Sequence, residues 1–574
     1  MNGLLVLHGG TVRTGTGEDT TALAVRDGRV VALGAGAEAL RPGADESVDL
    51  GGGFLMPAFG DGHAHPLFGG LEHFGPRIKG CASVGETVAE VGRWAAAHPD
   101  EEWVVGASYE PELAPGGEFD ARWLDAVVPD RPVVLRASDY HTVWCNTEAL
   151  RRAGITADTP DPRLGWIVRR PDGSPMGTLR EWHACDLVLD RVPARPLGEL
   201  VDALRVAGDA YARAGVTWVQ DAWVEPPMVD AYLEAARRGA LSFRADLALR
   251  ADPDHWQEQR AAFAAVRRRV EAEDGSGLLE ARTVKFFADG VIEGGTAAML
   301  EPYHDAPHSC GMAVWEPARL TEAVRAFDAD GFQVHIHAIG DAGVRAALDA
   351  VESARRANGT RDRRPVIAHV QVVDPADLPR FAALGVIANF EPLWAQYDGT
   401  QTELTVPRVG ERRAALQYPM GELARGGARL SFGSDWPVSS HLPLEGIQVA
   451  VTRRTFDGDP EAGWTPHQRL TVDQALDLHR GRRPPGVRRR ARHTRRGRPG
   501  GPGVAVRGPA RRRTDEAAPR PGARHLARRP PDPPRGRLTG GPEPPPADGR
   551  GSRRGAVPLR FRRPPAGRPG RRRP

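Results

Sequence analysis

In the stretch FLMPAFGDGHAHP, His63 and His65 stand two residues apart at the end of a short apolar run. Side chains alternate along an extended strand, so both imidazoles project from one face and can meet one ion. Three other apolar runs end in ionisable groups: FQVHIH closes at His337, PVIAH at His369 and RLSFGSD at Asp435. Two further imidazoles and a carboxylate, each at the C-terminal limit of a strand, would converge if those strands closed into a barrel. Neutral imidazole and carboxylate suit zinc, and also iron, cobalt or nickel. His335 shares the face of His337 but lies one step deeper, so it reads as a packed or supporting histidine.

Lys285, in RTVKFFADG, is informative because the chain holds only two lysines, Lys79 and Lys285, against 75 arginines. Surface charge here is supplied by guanidinium. A lysine between apolar residues at a strand end suggests amine chemistry that arginine cannot do, such as losing its proton and reacting with a carbonyl or with carbon dioxide. A lysine carbamate would offer two oxygens to two metal ions. The competing reading is a buried lysine paired with an acid such as Asp289.

These residues need a scaffold, and the surrounding text describes one. Residues 4–57 carry short, glycine-punctuated alternating runs (LLVLHGGTVRT, ALAVRDGRVVALG, VDLGGGFLMP), the pattern of small antiparallel strands that build part of a β-sandwich. Beyond Pro57, strand-like runs (WVVGASY, PVVLRASD, VTWVQDA, LSFRADLAL, RTVKFFADG, GFQVHIHAIGD, PVIAHVQ, GVIANF, RLSFGSD) alternate with helical segments. Residues 197–215 and 317–331 have the three- and four-residue apolar spacing of helices. That alternation predicts an α/β fold, a (β/α)8 TIM barrel with its chemistry at the C-terminal face, carrying a small β-sandwich. The expected organisation is 1–57 for the N-terminal part of the sandwich, 58–480 for the barrel, and 481–574 for a tail. No G-x-G-x-x-G dinucleotide loop and no G-x-S-x-G elbow occurs.

The chain has 574 residues, 40% hydrophobic and 26% charged, too long for a stapled mini-protein. Its four cysteines (Cys81, Cys145, Cys185, Cys310) form no C-x-x-C pair, so neither a disulfide framework nor a thiolate zinc site is supported. The start, MNGLLVLHGG, has no basic region and too few apolar residues for a secretion signal or membrane helix, so a soluble cytoplasmic protein is expected. The net charge of +3 hides an asymmetry: residues 481–574 hold 29 arginines, 20 prolines and five acidic residues, a local +24 that leaves residues 1–480 at −21. Such a tail cannot bury enough apolar surface to offset ordering entropy, and disorder is expected. The abrupt change after LTVDQALDLH reads first as a reading-frame slip in a GC-rich gene, second as a natural extension. A polybasic nucleic-acid binder comes last.

Taken in order, GDGHAHP, TVKFFADG, VHIHAIGDAGV, VIAHVQ and SFGSDWP resemble the amidohydrolase superfamily, and more narrowly amidohydrolase family three, the branch that includes N-substituted formamide deformylases. The resemblance covers residues 1–480. It implies a metal-bearing barrel that hydrolyses carbon–nitrogen bonds other than peptide bonds. By the same resemblance His63 and His65 would hold one ion and His337 and His369 a second, with Lys285 the carbamylated bridge. Asp435 would be the general acid/base. SDYHTVWCNTEAL resembles a segment placing His141 and Asn146 at the substrate, and PMGTLREWHA one placing Glu181 either behind the ligands or on the metal. The tryptophans, Trp394 among them, read as packing residues, while Trp436, beside Asp435, could wall the substrate pocket. The expected cofactor is a divalent metal, zinc foremost, as one or two ions. The expected partner is a small amide-type substrate, with neither membrane nor nucleic acid, in a monomer or homodimer. After Leu478 nothing matches the family's returning strands, which predicts N-terminal strands with an open edge and an alternative reading as an inactive, frame-shifted product.

Overall fold

The computed structural model describes residues 3–14 and 18–479; the expected tail, 481–574, lies outside the described residues. Near the N-terminus a four-stranded sheet runs in the order Arg29–Leu33, Leu23–Arg26, Leu4–His8, Glu46–Asp49. Alternate residues of Leu4–His8 feed two apolar layers. Leu4 and Val6 pack with Ala22, Ala24 and Ala37, while Leu5 and Leu7 pack with Val12, Leu23 and Leu55. This period-two division is what the alternating sequence specifies. At the outer edge, Arg29–Leu33 exposes Val30, Val31 and Leu33. Arg13 ties this region to the helix Val472–Leu478 through Asp473, at 2.5 Å, and Asp477, at 3.3 Å.

Eight parallel strands form the barrel, in the spatial order Phe59–Ala64, Val216–Val224, Arg244–Arg250, Leu279–Phe287, Gln333–Ala338, Val366–His369, Ile387–Phe390 and Arg429–Phe432. Each neighbouring pair is hydrogen-bonded in parallel register, Lys285 opposite His335 and Phe287 opposite His337. Helices predicted at 197–215 and 317–331 are present as Leu197–Ala214 and Pro317–Ala329. Their apolar faces pack on the sheet, with Phe327 against Phe263, Phe286 and Phe332.

The first and last strands meet at the C-terminal mouth rather than along a ladder. There Asp435 N donates to His63 O at 2.7 Å, His65 N to Trp436 O at 2.7 Å, and Ser434 N to Asp61 Oδ1 at 2.9 Å. This approach requires glycine on both sides. A Cβ on Gly62 would stand 2.8 Å from Phe432 O, and one on Gly433 would stand 2.7 Å from His63 N. The glycines flanking the H-x-H motif and Asp435 therefore let two ends of the chain bring ionisable groups together.

One reading needs correction. WVVGASY and PVVLRASD are not barrel strands. They become Val104–Tyr109 and Val133–Ala137 in a separate five-stranded sheet with Thr142–Cys145, Pro175–Arg180 and Trp166–Arg169, inserted between the first and second barrel strands. Their buried β-branched runs have the composition of barrel strands, and only the antiparallel pairing of Thr142–Cys145 with its two neighbours distinguishes them. Among the described residues no helix is long and apolar enough to cross a membrane.

Candidate metal centre

The barrel's C-terminal mouth collects six predicted residues from five strands. His63 lies on Phe59–Ala64 with His65 just beyond it, Lys285 on Leu279–Phe287, and His337 on Gln333–Ala338. His369 ends Val366–His369, and Asp435 follows Arg429–Phe432. All six are buried. The rings of His63 and His369 are 4.7 Å apart and those of His337 and His369 4.5 Å apart.

Each imidazole is oriented by what holds its other nitrogen. His63 Nδ1 lies 2.9 Å from His335 Nε2, which leaves His63 Nε2 facing Lys285 Nζ at 3.3 Å and Asp435 Oδ1 at 3.5 Å. His369 Nδ1 meets Glu391 Oε2 at 2.8 Å, freeing Nε2. His337 Nε2 donates to Gly290 O at 3.1 Å, freeing Nδ1. His65 Nδ1 stands 3.8 Å from Asp221 Oδ1, and its Nε2 is 2.8 Å from Asp435 Oδ1. That last contact, with Asp221 beside it, raises His65 above the usual imidazole range despite its burial. Ligand atoms of His63, His369 and Asp435 all lie within 4.8 Å of one another. Imidazole nitrogens and a carboxylate crowded this closely are a donor set that a cation would satisfy, so the residues fit a divalent metal.

Burial sets the electrostatics. It pushes His63 and His337 well below the usual imidazole range and His369 to about 3, with the neighbouring charges of Lys285 and other histidines adding to this for His63. These rings are therefore neutral, the form that binds metal. Burial also lowers Lys285 to about 7, and its ammonium sits 4.6 Å from the Phe287 ring centroid. Asp289 is not its partner. Asp289 accepts the backbone N–H groups of Ala298, Ile339 and Gly340 at 2.8–3.0 Å, and lies 3.7 Å from His337 instead.

Backbone strain concentrates at the same mouth. His369, Val370, Asp435 and Glu181 have φ of 74°, 48°, 52° and 64°. Positive φ is costly for side-chain-bearing residues, of order 1–3 kcal/mol each, and persists where surrounding structure enforces it.

His141 also reaches the site. Its Nδ1 meets Glu181 Oε2 at 3.0 Å and its ring lies 5.3 Å from that of His337, so Glu181 sits behind His141. Two expected substrate residues stand elsewhere. Asn146 is buried as the N-cap of helix Thr147–Ala153: its oxygen accepts from Val133 N and Ala149 N, and its amide donates to Val128 O and Arg131 O. Nothing remains of it for a substrate. Trp436 packs against Tyr211 and His441, with Gly69 directly beneath, away from the cavity. Trp223 and Trp394 line the cavity instead, Trp394 stacked on His369 at 5.3 Å and 4°.

Glu391 and Asp221 are the supporting acids that motif reading missed. Glu391 directly follows the run GVIANF, so the strand-end criterion applied one residue further would have found it. Replacing Glu391 with Gln, which keeps its shape but loses its charge, is expected to weaken metal affinity by roughly 10–100-fold. Competition with a chromophoric chelator measures this, and an unchanged affinity would remove Glu391 from the centre.

The amidohydrolase family model matches residues 46–483. Protein LONG AFTER FAR-RED 3 of Arabidopsis thaliana is 31% identical over 474 residues, covering 79% of this chain and 78% of that protein. The putative amidohydrolase YtcJ of Bacillus subtilis (strain 168) is 29% identical, covering 83% and 88%. The N-substituted formamide deformylase of Arthrobacter pascens is 27% identical, also covering 83% and 88%. The crystal structure of an uncharacterized metal-dependent hydrolase from Pyrococcus horikoshii OT3 shares the fold, with a TM-score of 0.64 at 23% identity over 83% of this chain and 91% of that one.

Proposed function

This chain belongs to the amidohydrolase family, as a hydrolase of carbon–nitrogen bonds, and from that premise we propose that it cleaves a non-peptide amide in a small molecule at the barrel mouth. His63, His65, His337 and His369 would hold a divalent ion or pair of ions, zinc foremost by ligand type. When bound, such an ion polarises the substrate carbonyl and lowers the pKa of water to about 7. Lys285, whose amine loses its proton near neutrality, is set to accept carbon dioxide as a carbamate and so supply two oxygens to the centre.

The remaining steps belong to side chains of this chain. Asp435 takes a proton from the attacking water and delivers it to the nitrogen of the departing amine, so one carboxylate serves as base and then as acid. Its Oδ1, 2.8 Å from His65 Nε2, is the atom for that transfer. His141, held through Nδ1 by Glu181, turns its other ring nitrogen toward the substrate oxygen. Phe287 and Trp223 exclude water from one wall of the cavity. The product side is balanced: water and amide give a carboxylic acid and an amine.

The observation that carries this reading is the convergence of His63, His369 and Asp435 ligand atoms within 4.8 Å at the end of a buried mouth. N-substituted formamides are the first substrates to try, given the Arthrobacter relative. Purified protein should contain divalent metal by elemental analysis, and hydrolysis should stop on chelation and return with zinc. Hydrolysis that persists in fully chelated protein would refute the proposal.

A further inference from the structure

The same cavity bears on which amides are taken, an inference that rests on the hydrolase reading above. The cavity, of about 440 Å3, is walled by Phe68, Tyr140, Trp223, Phe287 and Trp394. Besides Asp435, five carboxylates line it: Glu110, Glu112, Asp139, Glu293 and Asp398. They come from loops far apart in sequence, after Val104–Tyr109, Val133–Ala137, Leu279–Phe287 and Ile387–Phe390. The cation lining the cavity is Lys79, whose ammonium donates to Pro437 O.

The five acids make only neutral contacts that the structure records as hydrogen bonds. Glu293 accepts from Thr405 Oγ1 at 2.6 Å, Asp398 from Gln401 N at 3.2 Å, and Asp139 from His141 N at 2.8 Å. Glu112 Oε2 is buried with no partner. Asp435 Oδ1, in the same cavity on a residue that is 6% exposed, has His65 Nε2 beside it, at 2.8 Å. Burial, and then Glu110, Asp398 and Glu293, push Glu112 up to about 7, so these acids face and repel one another. Lys79 opposes Glu110 and His141 opposes Asp139, but no cation is set against Glu112 or Asp398, and leaving acids in a half-buried cavity without a counter-charge is costly.

A bare metal ion does not answer this arrangement. Among the described residues only His63, His369 and Asp435 bring ligand atoms together closely enough for one ion, and Glu112, Glu293 and Asp398 do not. Dispersed carboxylates beside aromatic faces suit an organic cation, whose several N–H donors reach separate acids while its alkyl part and charge lie on the rings.

We propose that the cavity selects amides carrying a positive charge, an ammonium or guanidinium received by Glu112, Glu293 and Asp398. The test pairs two acetamides of equal length, N-acetylcadaverine, which ends in an ammonium, and N-hexylacetamide, which ends in a methyl group. Zinc-loaded protein should show kcat/KM at least about tenfold higher for the cationic member. In Glu112→Gln/Asp398→Asn protein that ratio should fall toward unity. Because both substrates are read on one preparation, partial misfolding cancels from the ratio.

A second arm separates charge selection from the hydrolase reading. The matching methyl ketones, with a methylene in place of the amide nitrogen, cannot be cleaved, and their binding is measured calorimetrically on the same zinc-loaded protein. Tighter binding of the cationic ketone supports the proposal even if neither amide is hydrolysed, an outcome that would sink only the hydrolase reading. Equal binding of the two ketones overturns the proposal even if both amides are cleaved.

Discussion

Asp435→Asn protein is expected to keep its fold and its metal while kcat falls by roughly 10²–10⁴, the range for removing a positioned general acid/base. The substitution is close to isosteric. The backbone bond from Asp435 N to His63 O that closes the barrel mouth does not involve the side chain, and asparagine tolerates the φ of 52° at least as well as aspartate. What is lost is an oxygen able to accept a proton. An amide can neither take one from water nor return one to a leaving amine, so kcat should drop with little change in KM. The alternative is that Asp435 only binds metal, as its closeness to His63 and His369 allows. Elemental analysis decides between them: activity lost with metal retained identifies the proton carrier, and activity lost in proportion to metal identifies a ligand. Full activity would contradict both roles.

The parts of this site legible in the sequence are those that a strand end makes local. His63, His65, His337, His369 and Asp435 each close an apolar run, and in a barrel every strand's C-terminal end opens on one mouth. That inference needs no knowledge of which strands are neighbours. Glu391 and Asp221 needed more, because their roles are defined by a contact with a histidine on another strand: 22 residues separate Glu391 from His369, and Asp221 lies on the strand beside that of His65. His335 shows the same limit. Its place one step below His337 was legible, but its bond to His63, 272 residues away, was not.

Where the reading of residues failed, a local rule had more force than the motif. Asn146 precedes Thr-Glu-Ala-Leu at the start of a helix, the place where asparagine caps backbone N–H groups, and that role occupies its whole side chain. Trp436 follows Asp435 directly, and successive residues tend to point in different directions. Adjacency to a catalytic residue is therefore a reason to expect Trp436 outside the cavity. The inserted sheet misled for another cause: WVVGASY and PVVLRASD do pair in parallel, as barrel strands would, and the antiparallel partners that set them apart come later in the chain.

The second large effect concerns the ions themselves. His63→Ala and His369→Ala proteins should each be purified with little or no divalent metal and with activity near background. Each substitution removes a nitrogen whose direction is fixed from behind, by His335 for His63 and by Glu391 for His369, so no rotation of a neighbour can replace it. In His369→Ala the buried Glu391 also loses its partner, which should cost about 1–3 kcal/mol of stability in addition. A protein could lose metal simply because it unfolds, and Asn146→Ala supplies the contrast. That change removes the bonds to Val133, Ala149, Val128 and Arg131 and should destabilise by a comparable amount, roughly 1–3 kcal/mol. Since Asn146 plays no part in the centre, that variant should still carry its metal. Thermal melts with elemental analysis on all three variants separate the two causes. Histidine variants that melt normally and retain the metal content of the unaltered protein would show that the convergence at the barrel mouth is not a metal centre.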